Sequence, residues 1–176
     1  MDSFSFYKGI YDRELNRRKD LDSAINTPVT ILTVLFTANF YLLNKIPKPK
    51  TINDLTIEEV IFVIIFIIVA VSIFYLTKSY NNLFRGFVYR NIAKASQIRE
   101  FESSTIPKYN LECEKGKELN FENELINKLT KIAENHTVMN NTRSLDLYKT
   151  KTFIIIALIL TAINSLILTF KYFQNV

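Results

Sequence analysis

The sequence feature that most limits the possible folds is an apolar run at residues 57–76, IEEVIFVIIFIIVAVSIFYL. From residue 60 onward, 14 of its 17 side chains are Val, Ile, Leu or Phe. They follow neither the stripe of an amphipathic helix nor the alternation of a strand, so every side needs an apolar medium. As a helix these 17 residues are about 26 Å long, close to a bilayer core of ~30 Å. It therefore predicts a membrane-spanning helix over residues 57–77.

Two further apolar runs, residues 26–46 and 152–172, also have the length of membrane spans. Pro28 lies near the start of the first run, where a missing amide hydrogen is harmless. No Pro or Gly follows Gly116, so we expect one unbroken helix from about Asn120 into the third span. The predicted fold is an all-α membrane protein with three transmembrane helices.

The remaining sequence predicts helices outside the membrane. Residues 1–25 predict an amphipathic N-terminal helix, and Thr56 with Glu59 has the residue types of a capping box that opens the second span. Residues 78–151 predict a helical hairpin that extends from spans two and three. We expect its first arm to continue the helix of span two and to be broken at residues 103–107. The linker at residues 45–50, KIPKPK, is expected to be stiff and non-helical.

Charge gives the expected orientation. Thirteen Lys or Arg residues lie within residues 78–151, against three in the connection between spans one and two. The positive-inside rule then predicts that the N-terminus and the hairpin are cytoplasmic and that the short C-terminal tail lies outside. Net charge is +5, but basic residues alternate with acidic ones apart from Arg17-Arg18-Lys19. We therefore expect no direct sequence-specific binding of nucleic acid.

Polar residues inside the predicted spans mark surfaces that need protein or water beside them. In the first span they recur at helical intervals and share one side: Thr30, Thr33, Thr37 and Asn44. Two interpretations fit this stripe, helix–helix packing through small hydroxyl residues or a wetted pore wall. The third span carries Thr161, Asn164 and Ser165, which we expect to face a partner.

Residues suited to catalysis are scarce. The chain has one Cys and one His, which excludes a Cys/His zinc site and an intrachain disulfide, and it has no Gly-rich phosphate loop. We therefore expect no metal, no cofactor and no enzymatic activity. His136, Asn140 and Arg143 lie near one face of the last cytoplasmic helix, close to the membrane surface. A gate or an interlock with another helix is favoured for them over a catalytic role.

Three segments resemble a known family. They are YDRELNRRKDLDS before the first span, KSYNNLFRGFVYR after the second, and AENHTVMNNTRS before the third. Their order resembles that of small membrane proteins encoded in bacterial anti-phage loci, in particular the membrane accessory protein of type VI-B CRISPR systems. Pore-forming transmembrane effectors of nucleotide-signalling defence systems are a broader resemblance.

The resemblance implies a homo-oligomeric pore in the bacterial inner membrane. Its partners would be further copies of itself, the lipid bilayer, and an RNA-guided nuclease or a signal which that nuclease generates. The family also carries a degenerate nuclease-like motif, Arg followed five positions later by His. Here Arg143 is followed by Tyr148, so the proton-transferring imidazole is missing and RNA cleavage is not expected.

Two other functions stay open from the residues alone. The first is a membrane-anchored adaptor, in which the spans tether a helical hairpin that binds a soluble partner. The second is a membrane-anchored ribonuclease. The adaptor would be a monomer or dimer in detergent, whereas a pore would be a larger assembly.

Overall fold

The computed structural model describes residues 2–44, 46, 56–83 and 85–174, and every regular element in these ranges is helical. The predicted all-α fold is therefore confirmed. In chain order the elements are α1 (Ser3–Ala24), α2 (Asn26–Leu43), α3 (Ile57–Asn81), α4 (Ala95–Glu100), a π-helical segment (Phe101–Thr105), α5 (Ile106–Glu112) and α6 (Phe121–Gln174).

Three helical stretches are long and apolar enough to cross a membrane. They are Ser3–Leu43, which joins α1 and α2, then Ile57–Asn81 and Phe121–Gln174. Ile25, between α1 and α2, keeps helical dihedral angles, so the chain passes from one helix into the next without a reversal. The chain is an all-α membrane protein with three such helices, as the sequence predicts.

Local contacts explain where α3 and α6 begin. The Glu59 carboxylate accepts hydrogen bonds from the Thr56 amide at 2.7 Å and from the Thr56 hydroxyl at 3.0 Å. These bonds satisfy polar groups that precede the first turn of α3. At the start of α6, the Asn120 side-chain oxygen accepts the Asn123 amide hydrogen at 3.0 Å. An Asn cap therefore opens the longest helix at the residue from which the sequence predicts it.

The first arm of the predicted hairpin differs from the prediction. Helix α3 ends at Asn81, where Asn82 and Leu83 adopt positive φ angles of 51° and 55°. The Gly86 amide donates to the Asn81 carbonyl at 2.7 Å, and residues 86–94 are not helical. The prediction that the helix of span two continues into this arm is therefore wrong. Asn tolerates the left-handed conformation that ends a helix, and this local preference outweighs the apolar stripe that follows.

The predicted break at residues 103–107 is also wrong. Successive helical turns run from α4 through the π-helical segment into α5, and Pro107 lies in the first turn of α5. The wider π-helical turn accommodates the proline, whose ring would clash inside a regular α-helix. The predicted stiff linker cannot be compared, because residue 45 and residues 47–55 lie outside the described residues.

The chain divides into two compact units. The first, here called the polar unit, comprises Met1–Asp20 with Phe87–Asn141. The second, here called the span unit, comprises Leu21–Gly86 with Thr142–Val176. Buried apolar side chains of the polar unit include Ile106, Leu129, Ile132 and Ala133. The core of the span unit consists of Ile25, Leu32, Leu35, Ile65, Val69, Leu76, Leu147, Ile154 and Ala157.

Candidate functional site

In the span unit, buried residues recur every seven positions on both α3 and α6. On α3 they are Glu58, Ile65, Ser72 and Ser79. On α6 they are Arg143, Thr150, Ala157 and Asn164. A seven-residue repeat keeps one seam of a helix facing its partner, as in coiled coils. Six of these eight side chains are polar or charged, so we call the set the polar seam.

Hydrogen bonds across the polar seam fix its register. The Ser79 hydroxyl donates to the Arg143 carbonyl at 2.9 Å, and the Arg143 Nε donates to the Ser79 carbonyl at 2.9 Å. One heptad away, the Ser72 hydroxyl donates to the Thr150 carbonyl at 3.0 Å. A slip of α6 along α3 would break all three bonds. In lipid their polar groups would find no water to replace them.

Ion pairs lie towards both ends of α3. The Glu58 carboxylate binds the Lys171 ammonium at 2.7 Å, and the Lys78 ammonium lies 3.4 Å from the Asp146 carboxylate. Twenty residues separate Glu58 from Lys78, which is about 30 Å of helix and equals the thickness of a bilayer core. The two pairs therefore place charge where the span unit would meet the two membrane surfaces.

Arg143 has a second, acidic partner. Its guanidinium donates to the Asp22 carboxylate at 2.6 Å, and only 2% of the Arg143 residue is exposed. The side chain thus binds a carboxylate just before α2 and a carbonyl of α3, while its own helix is α6. Because the planar guanidinium offers five donors in a fixed geometry, one residue can hold three segments together.

Helix α2 is attached to α6 by a residue that the sequence analysis missed. The Asn39 amide nitrogen donates to the Thr161 hydroxyl at 3.0 Å, and Asn39 is buried. Thr161 belongs to the set expected to face a partner, and Asn39 supplies that partner within the chain. The available signal was an Asn inside an otherwise apolar run, which costs free energy in lipid unless it is paired.

The predicted threonine stripe faces away from the core of the span unit. Helix α2 buries Pro28, Leu32, Leu35 and Asn39, and these positions lie on the opposite side of the helix from the stripe. All four stripe residues are exposed: Thr30, Thr33, Thr37 and Asn44. The three threonine hydroxyls donate to carbonyls four residues earlier, at 2.9–3.1 Å. Packing against another helix of the same protomer therefore does not explain the stripe.

His136 and Asn140 belong to the polar unit. His136 is fully buried, and its Nε2 lies 2.7 Å from the Arg90 carbonyl, which can only accept, so Nε2 carries the proton. The Asn140 amide donates to the Glu14 carbonyl at 2.9 Å and to the Glu14 carboxylate at 3.1 Å. Its oxygen accepts the Tyr89 hydroxyl at 2.9 Å. These contacts hold residues 89–90 and helix α1 against α6.

The three predicted gate residues do not form one site. His136 and Asn140 bind partners in the polar unit, whereas Arg143 binds partners in the span unit. The Arg143 guanidinium is already paired, and Tyr148, five positions later, is 68% exposed. Within the described ranges, no group of three His, Cys, Asp or Glu side chains could hold a metal ion. The contacts of these three residues are those of interlocks between segments.

Replacing Arg143 tests the interlock. Arg143→Ala removes donors to a carboxylate and to a buried carbonyl, so we expect it to lower the free energy of unfolding by about 2–3 kcal/mol. Equilibrium unfolding in detergent micelles measures the change. Arg99→Ala is the matched control, because Arg99 is exposed, and its effect should stay within about 0.5 kcal/mol. Equal stability of the two variants would contradict the interlock.

Comparisons with known proteins do not assign the chain to a family. No family model matches it, and neither the curated proteins nor the solved structures give a match.

Proposed function

We propose that the protein is a homo-oligomeric pore, or membrane-permeabilising effector, of bacterial anti-phage defence of the CRISPR type. The observation that carries this proposal is the exposed threonine stripe of α2. In a ring of protomers, the stripe from each copy would face the central opening. The resemblance described above gives the biological setting, including activation by an RNA-guided nuclease or a signal which that nuclease generates.

The chemistry of the stripe suits a wall in contact with water. Each threonine uses its hydroxyl hydrogen for a carbonyl of its own helix, while the hydroxyl oxygen keeps a lone pair that can accept from water. Such a surface can face lipid in the single protomer, because its hydroxyl hydrogens are already bonded. In an assembled ring it can bind water through the hydroxyl oxygens. By contrast, the side chains of Ser72, Asn39 and Thr161 form hydrogen bonds to other helices of the same protomer. These three residues thus bond between helices, whereas the three exposed threonines bond within their own helix.

The proposed location is the bacterial inner membrane, with the N-terminus and residues 78–151 in the cytoplasm. The asymmetry of Lys and Arg between the two sides supports this orientation. The protein would act without catalysis, cofactor or metal. Opening a path for ions would dissipate the membrane potential, which needs no chemical step.

Two other functions are weaker candidates. A membrane-anchored adaptor is favoured by a groove of about 780 Å³ in the polar unit, formed by residues 90–101 and 121–132. Particles containing one or two copies by mass photometry would favour it. A membrane-anchored ribonuclease is disfavoured by the paired state of Arg143, and equal RNA cleavage by wild type and Arg143→Ala would exclude a role for that residue.

Cysteine substitution tests the pore. In a Cys113→Ser background, Thr37→Cys should make the conductance of purified protein in planar bilayers sensitive to a charged methanethiosulfonate reagent, because the modified side chain would enter the water path. Leu35→Cys is the matched control, since Leu35 is 2% exposed and faces the core of the span unit. No conductance under any trigger, or equal block of both variants, would contradict the proposal.

The single native cysteine tests the orientation. Cys113 is partly exposed and lies in the region proposed to be cytoplasmic. A membrane-impermeant maleimide should leave it unlabelled in intact spheroplasts and label it after lysis. Gln174→Cys in a Cys113→Ser background should be labelled before lysis. The reverse pattern would place residues 78–151 outside the cytoplasm.

A further inference from the structure

The groove in the polar unit has an apolar floor and a mostly basic rim. Residues 90–101 form one wall, and the first three turns of α6 form the other. The floor includes Ile92, Ile98, Phe101, Phe121 and Leu125. On the rim, Arg90, Lys128 and Lys131 outnumber Glu124, and none of these four makes an ion pair within the described residues. The groove therefore suits an apolar side chain with a carboxylate beside it.

The same unit also carries a side chain of that kind. Leu111, at the end of α5, is 87% exposed, the highest value among the exposed large hydrophobic residues of the described chain. Its neighbour Glu112 is exposed and makes no ion pair in the described part of the chain. We call Leu111 with Glu112 the knob. The knob thus offers an exposed apolar side chain with a carboxylate beside it, which is the chemistry that the groove suits.

The knob is held firmly by its surroundings. Ile106, one turn earlier in α5, is buried. The Asn110 side chain accepts the Leu119 amide hydrogen at 2.8 Å and donates to the Leu119 carbonyl at 3.0 Å. This pair of bonds closes the loop that follows α5. The knob therefore needs little ordering before it binds, which lowers the entropic cost of association.

Neither residue of the knob lines the groove of its own chain. Leu111 lies ten residues after Phe101, on the helical run that continues from the groove through α5. Knob and groove are therefore complementary surfaces at different positions on one unit. Surfaces of this kind join copies head to tail, and a head-to-tail contact closes into a ring when the rotation between copies permits.

We propose that the knob of one copy binds in the groove of the next, with Leu111 on the apolar floor and Glu112 beside Lys128 and Lys131. This contact would build the assembly outside the membrane, so the inference rests on the proposed homo-oligomer. It assigns the groove to a second copy of this chain, in place of the soluble partner that the adaptor interpretation requires.

Crosslinking between two differently tagged chains tests the contact. One chain keeps its native Cys113, two residues from Leu111, and the other is Cys113→Ser with Asn127→Cys at the groove. Each chain then has one cysteine, so a short bis-maleimide joins the two tags only where Cys113 meets position 127. The matched control replaces Asn127→Cys by Thr130→Cys, because Thr130 is exposed and does not line the groove.

Three results decide between the possibilities. A mixed-tag product with Asn127→Cys, at least tenfold weaker with Thr130→Cys and reduced about tenfold by Leu111→Asp, would support the contact, since charge on an anchor side chain removes its binding energy. Oligomers by mass photometry without that product would overturn the contact and leave the pore proposal standing. Single-copy particles would overturn both.

Discussion

The structure of the span unit depends on polar contacts between α3 and α6. Lipid tails are as apolar as leucine, so burial of apolar surface cannot align two helices within a bilayer. Here the alignment comes from Ser72, Ser79 and Arg143, whose hydrogen bonds recur at heptad spacing. Small residues at the same seam, such as Ala157, let the helices approach closely. The ion pairs of Glu58 and Lys78 then limit how far the pair can shift along the membrane normal.

These contacts decide which surface remains for other copies. Helix α2 is tied to α6 through Asn39 and Thr161, and this contact sets the rotation of α2 about its axis. With that rotation fixed, the threonines lie on the side of α2 opposite to the core. A polar surface in this position has to meet lipid, water or another protomer. In the proposed pore the threonines meet water and neighbouring protomers. The knob and groove of the polar unit would supply a second contact for the same assembly.

The sequence predicts the spans well because hydrophobicity and length are properties of single segments. Residues 57–76 identify a span without reference to any partner. The start of α6 at Asn120 was also predictable, since a helix cap acts within one turn. The prediction of a helical first arm was wrong because the left-handed Asn82 ends α3, and this local effect outweighs the periodic apolar pattern of the non-helical residues 86–94.

The pairing of helices could not be predicted in the same way. Within its own helix, nothing distinguishes Ser72, Ser79 or Thr150 from other small polar residues. Their heptad spacing predicts a contact only once α3 and α6 are known to lie side by side. Arg143 was identified as polar and close to the membrane surface, but its partners Asp22 and Ser79 lie more than sixty residues away. Such contacts depend on tertiary structure, and a single sequence does not specify which pairs form.

Extraction of membranes with alkaline carbonate shows whether the three apolar helices lie within a bilayer. This treatment releases peripheral proteins and leaves integral ones in the pelleted membrane. We expect the untagged protein to stay in the pellet and to be released only by detergent. Recovery of most of the protein in the carbonate supernatant would contradict it.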